Sequence, residues 1–212
     1  MATPIVRETF EWSNNWWDHA DDAALPRVLL VGDSICCGYG PVVTTLLEGS
    51  FHVDRIANSR GVHDPILFGE VGMALADRPY GAIHFNNGLH AVHLADADYE
   101  RGLSAYVRLF VDKGGAARLV WASSTPVTQP VPGHPLDEAR NAQVVRRNAL
   151  AAAVMVEYGI AVDDLYTLVF GRGDLRVPDG YHYNDEGYRL MGSAVADVLR
   201  GQPAPRGGPV TA

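Results

Sequence analysis

Pro26-Arg27-Val28-Leu29-Leu30-Val31-Gly32-Asp33-Ser34-Ile35 decides how the 212-residue chain is read. Val28 to Val31 form an unbroken branched apolar run, too uniform to have one wet face, so they read as a fully buried strand. Gly32 permits a sharp turn directly off that strand. The turn lifts Ser34 to the carboxyl end of the sheet, where open α/β sheets bind ligands. If a helix follows, Ser34 lies beside free amide hydrogens and a positive dipole end.

A serine hydroxyl needs a base within hydrogen-bond reach before it can act as a nucleophile at neutral pH. Asp179-Gly180-Tyr181-His182, far along the chain, supplies one. An acid three residues before a histidine, across a glycine turn, can set its carboxylate against the ring Nδ1. Nε2 is then left facing outward, towards a serine.

Gly-Asp-Ser after the first strand and Asp-x-x-His before the last helix resemble the SGNH (GDSL) hydrolase family. The resemblance spans about Val28 to Leu199. It implies a flavodoxin-like three-layer α/β/α fold with a five-stranded parallel sheet in the order 2-1-3-4-5. It also implies a serine esterase with Ser34 as nucleophile, His182 as base, Asp179 as its orienting acid, and no cofactor. The family's glycine after the second strand matches Gly61, whose amide joins that of Ser34 in an oxyanion hole. Where the family carries Gly-x-Asn, this chain has Gly88-Leu89-His90, so the expected third donor is His90, with Asn87 or Asn86 as alternatives.

Bulk properties fit one α/β domain. There are 17 basic and 25 acidic residues, a net charge of −8 with no basic cluster, which disfavours nucleic acid and anionic membranes as partners. No apolar run reaches the length of a membrane span. The N-terminus lacks a signal-peptide layout, and the adjacent Cys36 and Cys37 cannot build a disulfide framework. A cytoplasmic location is expected; oligomeric state is not legible.

The remaining segments follow in order. Residues 1–25, with Phe10, Trp12, Trp16 and Trp17, read as an aromatic strap ahead of a domain at 26–200. The strap packs on the surface or, in the functional alternative, lends Trp16 and Trp17 to the substrate pocket. Pro41 predicts a helix from Pro41 to about Leu47. Strands are expected at Phe51–Ile56, Ala82–Asn86, Arg118–Ala122 and Ile160–Val162. Helices are expected from Ile66, around Tyr99/Leu103/Tyr106/Phe110, after Asp137, and from Asn184. The helix after Asp137 is assigned Val145, Ala149, Ala152 and Val156 as its inner face, with Arg146, Arg147 and Asn148 solvated. Residues 201–212 read as a disordered tail.

Asp33, Arg60 and Thr125 join the tryptophans as pocket candidates. Arg60 has a plainer role open to it, a pair with Asp64. His63, His84, His90 and His93 lack the spacing of a zinc hydrolase, so no metal is expected, and mid-strand His84 reads as a core residue. The expected substrate is a small-molecule or glycan ester with a short acyl group. The alternatives are a lipid esterase or thioesterase with a longer slot, and a binding protein that has lost catalysis.

Overall fold

A computed structural model describes residues 5–201. The anticipated disordered tail, apart from Gly201, lies outside the described residues. The strand Arg27–Gly32 (β2) is buried at every position, and its side chains alternate between two cores. Leu29 and Val31 pack with one set of helices, Val28 and Leu30 with the other, so a run with no visible period still obeys the two-residue pleat.

Four further parallel strands flank it: His52–Asn58 (β3), Ala82–Phe85 (β4), Arg118–Ala122 (β5) and Ala161–Asp163 (β6). Their order is the anticipated one. The sheet nevertheless has six strands, not five. Ser13–Trp16 (β1) pairs antiparallel along the outer edge of β3, giving β1-β3-β2-β4-β5-β6. This strand belongs to the aromatic strap, and its backbone satisfies hydrogen-bonding groups that β3 would otherwise leave open at an edge.

Pro65–Asp77 (α2), Asp96–Lys113 (α3) and Glu138–Tyr158 (α4) cover one face of the sheet. Ser34–Leu47 (α1), the short Leu165–Val169 (α5) and Asp185–Leu199 (α6) contribute to the core on the other. This is a three-layer α/β/α arrangement.

Two helices depart from the sequence reading. The first starts at Ser34, not Pro41, which lies inside it. Asp33 caps it through the Ile35 amide, and burial of Ile35, Cys36 and Tyr39 outweighs the hydrogen bond that Pro41 removes. In α4 the inner face is Asn141, Val144, Arg147, Ala151, Val154 and Met155. Val145 and Val156, assigned inward, are exposed, and Arg147, assigned to solvent, is buried.

Candidate active site

Ser34 opens α1 directly off β2, and its hydroxyl donates to Nε2 of His182 at 2.8 Å. Nδ1 of the same ring donates to Asp179 Oδ2 at 2.6 Å. The other Asp179 oxygen accepts from the Tyr181 and His182 amides, each at 2.8 Å. Partial burial alone would raise the Asp179 pKa. The two amides, then the His182 ring, overcome it and hold the carboxyl below its usual range.

Gly180 makes this turn possible. Its φ is +88°, and a Cβ there would stand 2.4 Å from the Thr128 carbonyl oxygen. Thr128 in turn donates its amide to the Gly180 carbonyl at 2.9 Å. Arg176 ties the same loops, donating to the carbonyls of Pro126 and Tyr181 while its guanidinium lies over the Tyr183 ring. Nothing in the local sequence singled out Arg176.

Gly61 follows β3 and is buried, its Cα so close to Ala91 that a Cβ would come within 2.2 Å. Among the described residues no acceptor pairs with its amide. Asn87 donates Nδ2 to the Arg60 carbonyl at 2.7 Å, one residue before Gly61. Asn86 spends its amide on Ala122 O and Ser124 Oγ, tying β4 to the next loop. His90 gives Nδ1 to Glu8 at 2.8 Å and packs edge-on against Trp12. Arg147 holds the loop from beneath, donating to the carbonyls of Gly88, His90 and Ala91 with its guanidinium over Tyr99.

The pocket candidates do not converge. Trp16 and Trp17 are exposed, and the β1 edge strand that carries Trp16 is separated from β2 by β3; Trp12 is the indole that reaches the rim. Arg60 is committed to Asp64, which Arg7 brackets from the other side. Asp33 and Thr125 are buried and line a small cavity of about 10 Å³ with Asn86 and Leu89, and Asp33 Oδ2 and Thr125 Oγ1 lack protein partners. That volume suits one ordered water. A larger crevice is walled in part by Val127, from the loop after β5, and by Tyr181, the residue before His182. Leu89, Val92, Val127, Val144 and Tyr181 line about 190 Å³, with Arg140 and Gln143 polar.

His84, expected in the core, is fully buried and pairs with Asp163 at 3.0 Å. Cys36 is core filling, and burial pushes its thiol up to about 12. Among the described residues no helix is long and apolar enough to cross a membrane.

Solved structures with this architecture include a carbohydrate acetylesterase from Sinorhizobium meliloti, at TM-score 0.65 and 17% identity, covering 83% of this chain and 99% of that one. A member of the lipolytic protein G-D-S-L family from Veillonella parvula matches at 0.62 and 18%, covering 82% and 97%. This is the SGNH/GDSL hydrolase fold. An acetylxylan esterase from Geobacillus stearothermophilus shares it at 0.66 and 14%, covering 85% and 96%. No protein-family model and no curated protein matches the chain. At these identities the likeness is one of fold; in this chain the start of α1 and the loop before α6 meet through the Ser34–His182 hydrogen bond.

Proposed function

We propose that the chain is a serine esterase of the SGNH type, cleaving a short acyl group from a polar, glycan-like alcohol. The observation that carries this reading is the continuous hydrogen-bonded line from Ser34 through His182 to Asp179. Ser34 Oγ attacks the ester carbonyl while His182 Nε2 takes its proton. Asp179 keeps the proton-bearing Nδ1 in place and stabilises the imidazolium. The tetrahedral oxyanion draws on the amides of Ser34 and Gly61. His182 then protonates the departing alcohol, and a water activated by the same nitrogen releases the acyl group.

Asn87 is the better-supported third oxyanion donor. One of its amide hydrogens goes to the carbonyl preceding Gly61, and the second is uncommitted. With Nδ1–H given to Glu8, a neutral His90 ring offers only a lone pair at Nε2. Asn86 has both hydrogens engaged.

The short-acyl preference draws on the crevice of about 190 Å³ that Tyr181, the residue before His182, helps to line; it falls below the roughly 300–1,000 Å³ typical of drug-sized sites. The acetylesterase names carried by structural neighbours agree with it. A fluorophosphonate probe should label the wild type and not Ser34→Ala. Ser34→Ala and His182→Ala should each remove most turnover of p-nitrophenyl acetate, and the double variant should be scarcely worse. The acetate should surpass the octanoate in kcat/KM. A well-folded wild type that resists labelling overturns the esterase reading. A steep rise of kcat/KM with chain length overturns only the acyl preference.

A further inference from the structure

Outside the esterase site, the N-terminal segment meets the start of β3 in a second cluster of chemistry-bearing groups. Asp18, His19 and His52 place one ligand atom each within 4.8 Å of one another. His19 Nδ1 lies 2.9 Å from Asp18 Oδ1, and the His19 and His52 rings stack with centroids 5.0 Å apart.

The orientation of His52 is the informative feature. Its Nε2 pairs with Asp22 Oδ2 at 3.1 Å. A neutral ring that donates there turns its Nδ1 lone pair towards Asp18 Oδ2, 3.9 Å away. Asp18 Oδ2 also accepts from the Val53 amide at 3.2 Å, which fixes the carboxylate in place, and the gap between it and Nδ1 has room for a cation. The separation is close to the span of two metal–ligand bonds of about 2 Å each. A carboxylate on the far ring nitrogen is what metal-bound histidines ordinarily carry.

The surroundings favour positive charge and a fixed geometry. Among the described residues the Asp54 carboxylate pairs with the Arg27 guanidinium, while the Asp18 and Asp22 carboxylates have histidine rings but no guanidinium as ion-pair partners. Arg27 also donates to the carbonyls of Asp18, His19 and Asp22, so the 18–22 loop is shaped before anything binds. Asp18 and His52 are buried and the His19 side chain is 65% exposed, leaving an open side for solvent ligands.

We propose that Asp18, His19 and His52 form a divalent-metal site of the zinc class, with Asp22 orienting His52, which fastens the N-terminal segment to the sheet. Two imidazoles and a carboxylate suit zinc better than calcium or magnesium. The role is structural and independent of the esterase reading, since the cluster sits at the amino-terminal end of β3, opposite the ends that present Ser34 and Gly61.

The test is titration of chelator-treated protein with Zn²⁺ alone, followed by calorimetry and thermal melts. The expected result is one saturable equivalent and a melting temperature that rises until the site fills. His52→Ala and His19→Asn should each weaken binding about tenfold or more. His93→Ala, which removes a separate surface pair with His63, should leave it unchanged. Asn tolerates the φ of +40° at position 19, so that variant decides the matter if His52→Ala does not fold. Absence of saturable binding means a proton fills the gap and overturns the proposal. Binding that persists in His19→Asn and disappears in His93→Ala overturns it as well.

Discussion

The Arg147 guanidinium holds the His90 carbonyl oxygen at 2.8 Å, from the buried face of α4 to a loop 57 residues earlier in the chain. It also donates to Gly88 O at 3.0 Å and Ala91 O at 2.7 Å, so one side chain satisfies three carbonyls of the segment that carries the candidate oxyanion groups. An unsatisfied buried polar group costs about 1–3 kcal/mol. Arg147→Ala is therefore expected to lose about 3 kcal/mol in urea unfolding and to lower kcat through a displaced loop. Arg147→Lys keeps the charge without the fork and should recover only part of either loss. A melt of Arg147→Ala indistinguishable from wild type would remove this assignment.

The choice between Asn87 and His90 is measurable. Loss of one oxyanion donor costs about 10²–10³ in kcat. Asn87→Ala should show that drop with KM little changed, while His90→Ala retains most activity. Because Asn87 also braces the Arg60 carbonyl, melts of Asn87→Ala must accompany the kinetics. A crippled His90→Ala beside an active Asn87→Ala would return the role to the histidine.

Gly180→Ala should inactivate without unfolding the domain. A side chain there meets both a positive φ and the Thr128 carbonyl, so the turn must open and carry His182 away from Ser34. The expected signature is lost fluorophosphonate labelling in a protein with near-native far-ultraviolet circular dichroism. Full labelling would show that the turn relaxes without moving the ring.

Acid stability should report on Asp64. Burial would raise its pKa, but Arg7, the Ile66 amide and Arg60 pull it from the ordinary 3.8 to about 2. A lowered folded pKa adds stability that is complete above the unfolded value and is lost as pH falls towards the folded one. The window is thus about pH 4 down to 2, and the displacement corresponds to about 2 kcal/mol. Asp64→Asn should be less stable than wild type at neutral pH and lose that deficit near pH 2. An unchanged difference across the window would mean the pairs contribute nothing.

The sequence by itself determined what rests on local rules. Four branched residues ending in Gly-Asp-Ser imply a buried strand that breaks into a sharp turn, and the reactive reading of Ser34 comes only with Asp179 and His182. Asp179 and His182 are three residues apart, so their pairing follows from the turn between them. The stripe Tyr99, Leu103, Tyr106 and Phe110 names its own buried face because no rival stripe competes on α3.

Only the tertiary structure decided the rest, because those contacts join residues with no local relation. In α4 the stripe Val145, Ala149, Ala152 and Val156 was expected inward, and packing on the sheet chose instead the face containing Arg147, whose three acceptors lie on a distant loop. β1 has an exposed, polar sequence and becomes a strand only because β3 offers an open edge. His19 and His52 are 33 positions apart and meet because Arg27 curls the 18–22 loop over the start of β3. Hydrophobic period and turn chemistry are written within a few residues; the pairing of polar groups across the fold is set by which surfaces the chain brings together.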